Sequence, residues 1–181
     1  MSDAIERRVI VRVPATEPEV GRWLWALQDT RRRTKERVEG LTQADLDWTP
    51  DALTNSIGTL LYHIALIEAS YLYVDVLGRT DEPEELQLLL PYTDRDADGR
   101  LWVVTGVPLA EHLQRMDTVR QQLLDTFATM TMEQMERPRF VPDEGYEITP
   151  AWTLHHLMQH EAEHRGEIGT LRMLLGANQS A

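Results

Sequence analysis

The 181-residue sequence contains no cysteine. That absence removes disulfides, thiolate nucleophiles and cysteine-ligated zinc together, so any metal must be held by His, Asp or Glu. Any thiol chemistry would need a thiol supplied from outside. Positive charge is also scarce: 18 Lys and Arg stand against 30 Asp and Glu, a net charge of −12. A nucleic-acid binder advertises a basic patch, and the one basic run, Arg31-Arg32-Arg33-Thr34-Lys35, is followed by Glu36 and Glu39, so it reads as a solvated helix face. No apolar run approaches a membrane span, and the opening Met1-Ser2-Asp3-Ala4-Ile5-Glu6 lacks the apolar core of a signal peptide. The expectation is a soluble, cytoplasmic protein that acts on a small molecule, with no nucleic-acid or membrane partner. No internal repeat and no low-complexity tract stands out.

What is present is helical periodicity in four long segments. In the first, Val20, Leu24, Leu27, Thr34, Val38 and Leu41 fall near one face between Glu17 and Gly40, with Pro18 suited to the first turn. The second runs from about Ser56 to Leu77, capped by Asn55 or Ser56 and stopped by Gly78; it is apolar on more than one face and should be the most buried. The third begins at Pro108 and continues to about Met130. The fourth starts with Thr149 as cap and Pro150 at the first helical position, and Gly176 is placed to end it. Thr42-Gln43-Ala44-Asp45 suggests a single turn between the first two.

With little convincing strand between them, these segments predict an all-α four-helix bundle with a long crossover, Arg79 to Val107, between the second and third helices. One domain, 1–181, accommodates them, with a core of about 17–176 and an N-terminal arm, 1–16, in which Val9 to Val13 alternate as a short extended piece. The crossover carries Asp94, Asp96, Asp98 and Gly99 in the order of a calcium loop. Thr105 stands where a bidentate Glu is required, so a solvated acidic turn is the reading.

The chemistry lies in the histidines. On the fourth segment Leu157, Ile168, Leu171 and Leu175 form an apolar stripe, and His160 and His164 fill the positions it skips. At i and i+4, two imidazoles reach one ion. The stretch His160-Glu161-Ala162-Glu163-His164 satisfies H-E-x-x-H, the zinc-peptidase signature, but no histidine follows His164 and too few residues remain for another helix to supply a third ligand. His63, on the second helix with Leu60, Ile67 and Val74, is the upstream candidate. One His plus an i, i+4 pair from facing helices makes a three-His set with open coordination positions. His156, one turn before His160, is read as a pocket-rim residue that could alternatively pair with His160. His155 and His112 are expected to be solvent-exposed.

"SIGTLLYHIALIEASYL" and "TLHHLMQHEAEHRGEIGTLRMLLG" resemble the two signature helices of the DinB-like, YfiT-like superfamily of small bundle proteins, with Trp48-Thr49-Pro50 fitting ahead of the first. The resemblance spans about Glu17 to Gly176. It implies a four-helix bundle holding a divalent metal, often nickel or zinc, on three histidines, which by position are His63, His160 and His164. It further implies a homodimer and, in several members, transfer of a low-molecular-weight thiol such as mycothiol or bacillithiol. The sequence departs from the pattern at Glu167, where the family often has Gln. Two other functions compete with a thiol transferase: a metal-dependent hydrolase with Glu161 or Glu163 as base, and a metal- or ligand-binding bundle that is no enzyme.

Overall fold

The computed structural model describes residues 7–51, 55–79, 83–141 and 145–179. The opening residues read above for a leader fall outside these, as do parts of the connections at 52–54 and 80–82. Helix α1 is Pro18–Val38, with Pro18 in its first turn and Val20, Leu24, Leu27, Arg31, Thr34 and Val38 buried at steps of three and four. Gly40, at φ 78°, turns the chain where an L side chain would be strained. It leads into the one-turn helix α2, Gln43–Asp47, whose capping box joins Thr42 and Asp45 reciprocally.

Helix α3, Ile57–Ser70, starts with the Ser56 hydroxyl accepting the Thr59 amide hydrogen and continues without a break into a π-helical segment, Tyr71–Val76. There the Leu77 N–H reaches back five residues to the Leu72 carbonyl, at 3.0 Å. The stretch Ile57–Val76 is in fact long and apolar enough to cross a membrane, but most of it is buried within the bundle, as the expectation for the central helix requires.

The crossover contains a short helix, α4, Glu84–Leu89, and a loop closed by the bridge Arg95↔Leu101. Within it Asp96 accepts the N–H groups of Asp98 and Arg100, so this carboxylate is spent on its own turn. Helix α5, Leu109–Ala128, and the capped turn α6, Met132–Glu136, follow. A short antiparallel hairpin, β1 Arg139–Val141 with β2 Tyr146–Ile148, then leads into α7, Pro150–Gln179. The Thr149 hydroxyl accepts the Trp152 N–H at its start. Gly176 does not end α7, which runs on to Gln179: glycine permits a left-handed cap without imposing one.

The four long helices pack with α1 against α7 and α5 against α3, the two pairs meeting across the centre. There each helix contributes one charge. Arg31, Glu68, Arg120 and Glu161 are all under 5% exposed, and both carboxylates bind both guanidiniums at 2.6–2.9 Å. Arg31 is therefore a core residue, contrary to the solvated face read for it. The reason is that position 31 lies on the apolar stripe of α1, and two acidic residues of other helices neutralise what is placed there. Burial by itself would raise the Glu161 carboxyl, but Arg31 and Arg120 overcome it and hold it at about 2.

Candidate metal centre

His63 projects from the second turn of α3, and His160 and His164 from successive turns of α7, where the two helices cross. Their Nε2 atoms converge: His160 lies 3.1 Å from His63 and 3.1 Å from His164. One nitrogen from each of the three falls within 4.8 Å of the others. A tetrahedral ion with bonds of about 2.0–2.1 Å spaces its ligand atoms about 3.3 Å apart, so the donor set fits a divalent metal held by three imidazoles. The three ring pairs meet with centroids 4.5–4.9 Å apart, two of them edge to face.

At His160 and His63 the electrostatics favour the neutral imidazole, the form that binds metal. Burial pushes His160 down to about 3, and the nearby His164, His63 and His156 push the same way. His63 is lowered chiefly by burial, against the opposing pull of Asp94. Behind the nitrogens stand two carboxylates. Asp94 Oδ1 is 2.7 Å from His63 Nδ1, and Glu167 Oε1 is 3.2 Å from His164 Nδ1. A carboxylate at Nδ1 favours the proton there and leaves the Nε2 lone pair free for an ion the three rings would hold. Asp94 thus backs a histidine of the cluster instead of lying in a solvated turn. The crossover that looked like a calcium loop delivers it.

The three histidines form the floor of an open cavity of about 400 Å³, whose walls include Ile67, Tyr71, Arg95, His156 and Glu167. Tyr71 opens the π-helical segment, a placement typical of functional sites. His156 stacks on Trp152 with ring planes 7° apart and lies 4.7 Å from the Tyr71 ring, between centroids, so it belongs to the wall, not to the cluster. A larger groove of about 810 Å³ between α1 and α5 has no histidine in its lining. Donor chemistry, not size, identifies the site.

The other expectations divide. Glu161 follows His160 in sequence, but its oxygens are engaged by Arg31 and Arg120; at 1% exposure it lies in the core and does not line the cavity. Glu163 is exposed and His155 is exposed. His112, expected in solvent, is 1% exposed, and neither ring nitrogen has a hydrogen-bond partner among the described residues. Its charged neighbours Glu111 and Arg115 pair with each other across one turn and leave the imidazole facing inward near Gly58. Burial and the Arg115 charge push it down to about 4.

A four-helix bundle with three imidazoles converging between two of its helices is a metal-binding bundle protein by class. The chain belongs to the DinB superfamily, whose family model matches residues 26–168. Its fold is similar to that of YfiT from Bacillus subtilis, described as a probable metal-dependent hydrolase with an unusual four-helix bundle topology. The two share 18% identity and a TM-score of 0.63, over 95% of this chain and 94% of that one. It is also similar to a conserved protein of Enterococcus faecalis at 16% identity and a TM-score of 0.64, over 84% and 94%. No curated protein matches the chain in sequence.

Proposed function

We propose that the chain is a metal-dependent hydrolase of a small molecule, the metal being held by His63, His160 and His164. One observation carries this reading: three imidazole donors converge in one open cavity, and a three-His set would leave a divalent ion open coordination positions. The description given to YfiT supports the same chemistry. A divalent ion bound here, nickel and zinc both suiting imidazole, would polarise a substrate oxygen and acidify a water molecule. The chain's own residues supply the rest. Asp94 and Glu167 hold the ligand rings in one orientation, Tyr71, Ile67 and His156 present an apolar and aromatic wall, and Arg95 gives the rim a positive charge. Glu167, which faces both His164 and the cavity, replaces Glu161 and Glu163 as the carboxylate able to accept a proton there.

The thiol-transferase reading draws its support from the family resemblance and from a chain with no thiol of its own. The two separate in one experiment. Protein loaded with zinc or nickel is assayed against a panel of small esters and amides, with and without a low-molecular-weight thiol. The expected outcome is one ion per chain, thiol-independent hydrolysis, and loss of both on His160→Ala. Turnover that requires the thiol would install the transferase. Bound metal with no turnover of any kind leaves a sequestering protein, and light scattering of the same sample reads the homodimer that the resemblance implies.

A further inference from the structure

The hydrogen bonds at the centre of the bundle fall into three matching pairs. Arg31 Nε binds Glu161 Oε1 at 2.9 Å, and Arg120 Nε binds Glu68 Oε1 at 2.6 Å. Arg31 Nη2 binds Glu68 Oε2 at 2.7 Å, and Arg120 Nη2 binds Glu161 Oε2 at 2.8 Å. Arg31 Nη1 donates to the carbonyl of Met116, four residues before Arg120; Arg120 Nη1 donates to the carbonyl of Leu27, four residues before Arg31. Exchanging α1 with α5 and α3 with α7 maps these six bonds onto one another; a seventh, from Arg120 Nη2 to Glu68 Oε2 at 2.7 Å, has no counterpart among the described residues.

The exchange extends along the chain. Arg31 precedes the capping threonine Thr42 by 11 residues, and Arg120 precedes the capping threonine Thr131 by 11. Both threonines open one-turn helices closed by capping boxes, and each turn buries one apolar residue, Leu46 or Met135. Seven residues separate the cap Ser56 from His63 and the cap Thr149 from His156; five more lead to Glu68 and to Glu161. The packing of α1 on α7 has its counterpart in α5 on α3.

We infer that the chain is two copies of one helix–capped turn–helix unit, and that the three histidines form one of two equivalent sites between α3 and α7. Under the exchange His63 becomes His156, His160 becomes Ile67 and His164 becomes Tyr71. The second site is therefore His156, Ile67 and Tyr71, and its ring spacing matches: the His156 and Tyr71 rings lie 4.7 Å apart where those of His63 and His164 lie 4.9 Å apart, with the planes at 40° in one pair and 85° in the other. All six residues line one cavity. Ile and Tyr in two ligand positions leave the second site as wall. The crossover explains why the first was kept, since a connection between two copies occurs once and delivers its carboxylate, Asp94, to His63.

The inference rests on the metal reading of His63, His160 and His164, and its test separates the two. Ile67→His/Tyr71→His restores three imidazoles at the second site, and cobalt(II) titration with mass analysis of bound metal counts the ions. The expected result is one ion per chain in the wild type and two in the variant, the second lost when His156→Ala is added. One ion in both, with helix content preserved, overturns the equivalence. No ion in the wild type but one in the variant supports the equivalence and overturns the native metal site, whereas none in either overturns both. Should the double variant not fold, Tyr71→His alone sets two imidazoles at the second site. A weaker second equivalent, abolished by His156→Ala, is then expected, and its absence counts against the inference.

Discussion

Asp94 sits 2.7 Å behind the Nδ1 of His63 and also pairs with Arg95 at 3.2 Å. Carboxylates so placed fix ring orientation and raise ligand basicity, and their loss lowers metal affinity about 10–100-fold. Asp94→Ala should weaken zinc binding by that amount, measured by competition with a chelating dye. Glu167→Ala, at 3.2 Å from His164 and more exposed, should weaken it less. His112 makes a second prediction, away from the cluster. Its pKa is about 4 when folded and about 6.5 when unfolded, so between these values the unfolded chain binds more protons. Stability then falls as pH drops through that window, by on the order of 3 kcal/mol in full. His112→Gln should flatten this part of the acid limb in urea denaturation at pH 7 and pH 4.5; an unchanged limb would refute it. At this scale the three clustered histidines were legible because they interrupt an apolar stripe. Asp94 and His112 were not, since a crossover and an ion pair of neighbours decide where they point.

The elements owe their ends to local chemistry that reads directly from sequence. Pro18 and Pro150 open helices because their missing N–H is an orphan there in any case, and Ser56 and Gly78 bound the long central helix as expected. The change from α to π geometry at Tyr71 was not legible, because it depends on how the Tyr71–Val76 segment packs and leaves no periodic signal. The two capped turns give a prediction of their own. Thr42→Ala and Thr131→Ala each remove a reciprocal box, and each should cost about 1 kcal/mol in chemical denaturation. Their near equality is what two copies of one unit require, and a difference of several kcal/mol would speak against it. The copies escaped sequence reading because Arg31 with Arg120 and Thr42 with Thr131 are the only identities in the 20 residues from Leu27 and from Met116. In addition, the spacing changes between the capped turns and the following helices.

Across the whole molecule, the balance of two positive and two negative charges at the centre ties all four long helices together. Buried ions cost several kcal/mol each to desolvate, and only a complete set of partners offsets that cost. Glu161→Gln leaves two guanidiniums in the core facing one carboxylate, and Glu68→Gln does the same from the opposite helix. Each should destabilise the bundle by about 3–5 kcal/mol, and by similar amounts because the exchange of copies carries one onto the other. Raising the salt should change these losses little, since screening acts on exposed charges far more than on buried ones. Lys35→Ala, which breaks a surface pair with Asp117, should cost under about 1 kcal/mol and lose even that in salt. Urea titrations at low and high sodium chloride read all three variants. A loss below about 1 kcal/mol for Glu161→Gln would return that carboxylate to the pool of catalytic candidates, because a group so weakly held by its arginines would be free to serve the cavity.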